Sequence, residues 1–344
     1  MKANATKLLA SPVAVRRDCN PNRNERTTLT IVGEEKAMRQ SASAFAFVLL
    51  ISICAATQSA QATKLSVNCG RQEPIRTALR LLAATNPQGP NTITVSGACK
   101  GNIVIQSMDR LTLITNNGAS LTDRSNGTLA VVNIVDSRSV TLQGFAINGG
   151  ATGVSCANAS VCYLTGNTIQ GGGGIEVGGG SRAFLESNVV QNGGRGATVE
   201  DGAQMFSSND VFQGNGQGVS AFAAYLEASN SSFLNNGVGI LSAASSLRLL
   251  GGTTISGSGA DGMAMRAGST AVFQGATITG NGGNGIHLED ASFAGFQAAT
   301  VTGNLSGVDI DCAPQFTITR FVARTGGITN CVEPASSSKP KAVE

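Results

Sequence analysis

Four asparagines stand at positions 167, 188, 209 and 230, each 21 residues from the next. Each opens a similar phrase: Asn167-Thr168-Ile169, Asn188-Val189-Val190, Asn209-Asp210-Val211 and Asn230-Ser231-Ser232. A fixed period of this size marks a solenoid, in which each repeat is one turn stacked on its neighbours. The apolar residue two places on carries the beat through Ile147, Ile169, Val190, Val211, Ser232 (beside Phe233), Ile255, Ile278 and Val301. A second marker keeps the same time, a glycine followed by a mostly apolar residue. It recurs at Gly153-Val154, Gly174-Ile175, Gly196-Ala197, Gly218-Val219, Gly239-Ile240, Gly262-Met263, Gly285-Ile286 and Gly307-Val308. In this register the four asparagines face inward and stack.

The turn length sets the geometry. Segments such as Gly285-Ile286-His287-Leu288 alternate apolar and polar, which is strand patterning. Gly/Asn/Ser clusters such as Thr279-Gly280-Asn281-Gly282-Gly283-Asn284 separate them and suit tight turns. No sustained helical period fits between markers. Short strands and turns within coils of about 21–23 residues give a parallel β-helix, rising roughly 4.8 Å per coil. The 44 glycines then supply turns, and charged residues are scarce at 13% because each coil is tightly turned or buried. With no Trp and two Tyr, the core falls to Ile, Val, Leu and Phe, and Phe206, Phe273 and Phe296 are expected inside it as stacked rings.

The two ends read differently. Residues 44–56, AFAFVLLISICAA, follow Arg39 and precede Ala60-Gln61-Ala62, the pattern of a secretory signal peptide over 38–62 cut after Ala62. The run is too short to span a membrane. Met38-Arg39-Gln40 is a normal signal start, and Gly33-Glu34-Glu35 suits a ribosome-binding stretch in the coding strand. Residues 1–37 are therefore expected to be an untranslated upstream segment. Residues 63–90 form an N-terminal cap, with Pro74 opening a short helix that carries Ile75, Leu79, Leu82 and Ala83 on one face. The solenoid runs over 91–332, with Asn91–Val95 as its first strand, and 333–344 is a disordered polar tail. No strand pattern of an outer-membrane barrel follows.

Export changes the charge balance and the reading of the cysteines. The chain's 24 basic and 21 acidic residues fall to 16 and 17 once the 8 basic and 4 acidic residues of 1–62 are set aside. No polybasic stripe with interleaved aromatics remains, so nucleic acid is not an expected partner. Six cysteines are left, and oxidising surroundings favour disulfides. A solenoid keeps sequence neighbours close, which favours Cys69–Cys99, Cys156–Cys162 and Cys312–Cys331. A zinc site is the weaker rival, since no C-x-x-C pair exists.

The helix, the segment NTITVSGACKGNIVI, and the coils GNTIQGGGGIEV and ITGNGGNGIHLED together resemble right-handed parallel β-helix repeat proteins of the pectin-lyase-like superfamily. The resemblance covers roughly residues 66–332. It implies an all-β, single-stranded, right-handed β-helix with a short N-terminal capping helix. Members include pectate lyases, polygalacturonases, alginate epimerases and proteins without known catalysis, so fold alone selects no activity. The polygalacturonase-type carboxylate motifs are mostly missing: Asp261 occupies such a turn, but Asn284 and Ser306 follow it. The D-P-H-D type motif of the epimerases is absent, and no lyase-like calcium set is evident.

One cluster stands out on the outward rows of the strand after the glycine marker. One row reads Glu176, Thr198, Ser220, Leu241, Ala264, His287, Asp309, and the next reads Gly178, Glu200, Phe222, Ala243, Arg266, Glu289, Asp311. The chain's single histidine is thereby expected beside Glu289, Asp309, Asp311 and Arg266. These are the candidate catalytic residues. His287, Glu289, Asp309 and Asp311 are also candidates for holding a divalent cation, and Arg266 for receiving a uronate. The bland reading is a solvated charged face. The sequence favours an exported, periplasmic or extracellular, monomeric binding or scaffold protein, non-catalytic and without a cofactor, whose partner is a polysaccharide or a cell-envelope protein. The alternative is a lyase, epimerase or hydrolase acting through the His287 face.

Overall fold

The computed structural model describes residues 61–71, 74–313, 320–322 and 327–331. The expected upstream segment, nearly all of the leader and the tail lie outside the described residues. Three parallel sheets make up the solenoid: a long sheet of twelve strands and two sheets of ten among the described residues. Each coil visits them in turn. In one coil, Ile175–Val177 lies in the sheet of the glycine marker, Arg182–Glu186 in the long sheet and Val189–Gln191 in a sheet of mostly three-residue strands. The first strand is Thr63–Asn68, paired in register with Asn91–Ser96, so the solenoid begins inside the segment expected to be only a cap. The capping helix is there too, over Ile75–Thr85 with Pro74 at its N-cap, and it buries Ile75, Ala78, Leu79 and Leu82. Ala83 faces solvent, and Ala78 takes its place.

Alternation along the strands puts every second side chain into the core. In the short-strand sheet the central residues form one buried column: Leu121, Ile147, Ile169, Val190, Phe212, Phe233, Ile255, Ile278 and Val301. Phe212 and Phe233, not Val211 and Ser232, continue it, and their rings stack at 5.2 Å. The register has slipped by one residue relative to the asparagine count. The coil from Asn188 to its structural equivalent is 22 residues long, and that equivalent is Asp210. Asn209 and Asn230 therefore point outward, each in a left-handed conformation (φ 56° and 50°) immediately before the buried ladder residue. Asparagine tolerates that conformation better than most residues.

Each corner of the coil carries its own polar ladder, in which a short side chain accepts the backbone N–H of the preceding coil. Between the long and short-strand sheets, Asn167 Oδ1 accepts from Phe145 N, Asn188 Oδ1 from Asn167 N, and Asp210 Oδ1 from Asn188 N, at 2.7–2.9 Å. Between the short-strand and marker sheets, a second ladder runs through Asn215 and Asn236, then Asn281 and Asn304. At the third corner Ser160 and Ser181, then Ser245 and Ser269, do the same work. Buried N–H groups at turns must find partners, and these ladders supply them where strand pairing stops. Backbone packing at the corners is close: a Cβ on Gly174, which has φ +64°, would lie 2.0 Å from the carbonyl oxygen of Gly196.

The three expected disulfides form, with Cα–Cα separations of 5.0 Å for Cys69–Cys99, 6.4 Å for Cys156–Cys162 and 5.1 Å for Cys312–Cys331. Phe273 and Phe296 stack in the core at 4.9 Å, as expected. Phe206 does not: the one-residue slip places it on the outer face, stacked on Phe184 at 5.0 Å. No described helix is long and apolar enough to cross a membrane.

Candidate functional site

The outer central column of the marker sheet follows the expected row from Glu176 through Thr198, Ser220, Leu241 and Ala264 to His287. The next coil departs from it. Ile286 pairs with Ile310 and His287 with Asp311, so the final coil is two residues longer than the glycine marker implies. The extra length lies in the turn at Leu305–Val308, where Gly307 has φ +86°. Val308 precedes the strand instead of opening it. This moves Asp311 onto the histidine's own column and turns Asp309 inward.

Asp309 is consequently not part of the lateral cluster. It is buried and ends the second asparagine ladder, its Oδ1 accepting from Asn304 N at 3.0 Å and from Asn304 Nδ2 at 2.8 Å. Its Oδ2 accepts from Ile328 N at 2.9 Å. Burial pushes this carboxyl up, but the hydrogen bonds from Ile328 and Asn304 outweigh it and hold the group below the ordinary carboxylate value.

His287 is clamped. Its Nδ1 lies 2.5 Å from Asp311 Oδ2 and its Nε2 lies 2.7 Å from Glu289 Oε1. One carboxylate comes from the next coil and the other from two residues along the same chain segment. Burial pushes the imidazole down, but the hydrogen bonds and charges of Glu289 and Asp311 prevail and hold it above its ordinary value. Both hydrogen bonds can be made at once only when both nitrogens donate, that is, when the ring is protonated. Asn330 completes the arrangement, and sequence reasoning missed it. Its Nδ2 donates to Asp311 Oδ1 at 2.5 Å, and its Oδ1 accepts from Cys312 N at 2.7 Å, beside the Cys312–Cys331 disulfide. Nineteen residues separate Asn330 from Asp311, off the beat of the repeat.

The other candidates stand apart. Arg266 is exposed one column over and, among the described residues, is paired with neither Glu289 nor Asp311. Asp261 accepts from Asn284 N at 2.7 Å and so ties its turn to that of the next coil. His287 separates Glu289 from Asp311, and among the described residues no three His, Cys, Asp or Glu side chains converge as metal ligands. Chemically the cluster is an imidazole held between two carboxyl groups, and the Asp311 contact fastens its coil to the one before it.

A family model described as "Right handed beta helix region" matches the chain over residues 91–249, 152–305 and 221–340. Among curated proteins none matches by sequence. The enzymatically active domain of tailspike protein 2 from bacteriophage CBA120 is similar in structure, with a TM-score of 0.59 at 13% identity, over 76% of this chain and 47% of that one. Full-length tailspike protein 2, from the Escherichia coli O157:H7 bacteriophage, gives 0.60 at 12% identity, over 74% and 42%. The chain thus spans less than half the length of either tailspike chain. The A-module of the Azotobacter vinelandii mannuronan C-5 epimerase AlgE4 gives 0.50 at 12% identity, over 76% of this chain and 93% of the module. At these identities the likeness is one of fold.

Proposed function

The chain belongs to the right-handed beta helix family, and within it we propose that it is an exported, non-catalytic protein that binds glycan along its lateral surface. One observation carries the reading. The single histidine, the best candidate for a general base, has both ring nitrogens engaged by carboxylates at 2.5 and 2.7 Å. An imidazolium in that clamp has no lone pair to offer a substrate proton or a metal ion. Asp309, the other carboxylate that would complete an acid–base set, is committed to the interior. Three disulfides support export to an oxidising compartment. The glycan class rests on fold likeness to a phage tailspike and a mannuronan epimerase, and belongs to this proposal alone.

The test is a panel of uronate and neutral polysaccharides, assayed for retention of the purified protein in affinity electrophoresis and, in parallel, for turnover. Retention without turnover, unchanged in His287→Ala, is the expected result. Turnover that disappears in His287→Ala and Asp311→Asn would replace this reading with a lyase, epimerase or hydrolase working from the His287 face.

A further inference from the structure

The long sheet carries an outer central column unlike the rest of the surface. Strand pairing aligns Thr92, Thr112, Thr141, Tyr163, Phe184, Phe206, Glu227 and Arg248 in neighbouring coils. Tyr163 stacks on Phe184 at 5.1 Å and 13°, and Phe184 on Phe206 at 5.0 Å and 9°. Tyr225, from the adjoining column, leans on Phe206 at 5.6 Å and 52°. Phe145, Phe212, Phe233 and Phe273 are by contrast fully buried, and Phe222 and Phe293 are partly exposed without a stacked partner ring among the described residues. Here both of the chain's tyrosines and two phenylalanines lie on the outside.

The two ends of this ladder differ. At one end Tyr225 donates to Glu227 Oε2 at 2.7 Å, and Arg248 Nη1 donates to the same oxygen at 2.9 Å, so an ion pair closes the stack. At the other end Tyr163 is 37% exposed, and the ring face turned away from Phe184 looks toward Thr141, a side chain too small to cover it. Beyond Thr141 the column continues as Thr112 and Thr92. The open end is thus an aromatic face above a run of hydroxyls and methyls, repeating roughly every 4.8 Å. From Thr92 to Phe206 the column holds no charged residue.

We propose that this column is a carbohydrate site, in which a neutral glycan chain lies along the threonines and seats the apolar face of one sugar ring against Tyr163. The proposal rests on the glycan-binding reading above and names its surface, on a different sheet from His287. A pyranose has an apolar C–H face and a rim of hydroxyls, which match an aromatic face followed by threonine hydroxyls. The column itself supplies no counter-charge for a uronate, and the nearby Arg182 flanks Phe184 from the adjoining column.

The chain has no tryptophan and only these two tyrosines, so its intrinsic tyrosine fluorescence reports on this ladder. The mature protein is titrated with neutral manno- and xylo-oligosaccharides and, separately, with oligogalacturonate, following tyrosine emission and binding heat together. A neutral oligosaccharide is expected to change the emission saturably. Thr141→Phe, which extends the stack over the open ring face, should weaken that binding at least tenfold while the far-ultraviolet spectrum stays unchanged, and Tyr163→Ala should act likewise. Binding heat with unchanged emission, full affinity in Thr141→Phe, or binding of oligogalacturonate alone would each overturn this site while leaving glycan binding intact. Failure of every carbohydrate to bind would overturn both.

Discussion

His287 Nδ1 and Asp311 Oδ2 meet at 2.5 Å across the last pair of coils, and Glu289 holds the opposite nitrogen at 2.7 Å. The folded-state imidazole is held above its ordinary value of 6.5, so its stabilising contribution is complete below that value. As pH rises through the folded-state value the proton leaves, and one of the two hydrogen bonds goes with it. Thermal melts between about pH 6 and pH 9 should therefore show stability falling with pH in this range. His287→Gln should lose about 1–3 kcal/mol on the acid side and flatten the slope. A wild-type slope retained in His287→Gln would refute the clamp.

The inward ladder gives a second test, because asparagines in two roles share one spacing. Asn188 is buried and accepts from both Asn167 N and Asn167 Nδ2, whereas Asn209 is exposed with φ 56°. Asn188→Gly should cost about 2–4 kcal/mol, since two buried donors lose their acceptor. Asn209→Gly should stay within about 0.5 kcal/mol, glycine being at ease in the left-handed region. Urea titrations of the two variants measure the difference. Equal losses would restore the strict 21-residue register.

That pair of residues also shows how far the sequence could be read. Strand alternation and glycine-rich turns are local signals, and they were enough for the β-helix, the coil length and the three disulfides. The register was not local. Val211 and Phe212 are both apolar, and Asn209 and Asp210 both suit a polar corner, so these positions alone hid the 22-residue coil, which the step from Gly196 to Gly218 carried. The same ambiguity turned Phe206 outward and Asp309 inward: Gly307-Val308 imitates the marker, but Ile310 opens the strand. Asn330 carried no periodic signal at all. The second asparagine ladder was legible in principle, since Asn281 and Asn304 sit 23 residues apart, but glycine-rich surroundings disguised it as plain turn.

The disulfides differ in the length of chain they close. Cys69–Cys99 spans 30 residues, Cys312–Cys331 spans 19 and Cys156–Cys162 only 6. If their effect is mainly on the unfolded chain, removing them as Cys→Ser pairs should cost about 3–4, about 3 and about 2 kcal/mol respectively. The terminal pairs have a second role, because they fasten the coils at which the sheets of the described residues end. Amide exchange should therefore speed up in 63–68 and 91–96 when Cys69–Cys99 is removed, with the central coils unaffected. Exchange that rises uniformly along the solenoid would argue against local fastening.

Among the described residues three buried hydroxyls, those of Ser242, Ser258 and Ser292, have no hydrogen-bond partner, and Ser242 is the one with apolar rungs on both sides. Ser242 is fully buried in the marker sheet, aligned between Ala221 and Met265, and its hydroxyl has no hydrogen-bond partner. An unpaired hydroxyl in apolar surroundings is a desolvation cost with no return. Ser242→Ala removes the oxygen, matches the Ala221 rung below it and adds no volume. The expected outcome is a gain of about 1 kcal/mol in urea denaturation with an unchanged slope. A comparable loss would mean that the hydroxyl is bonded in solution, through a buried water bridging the rungs.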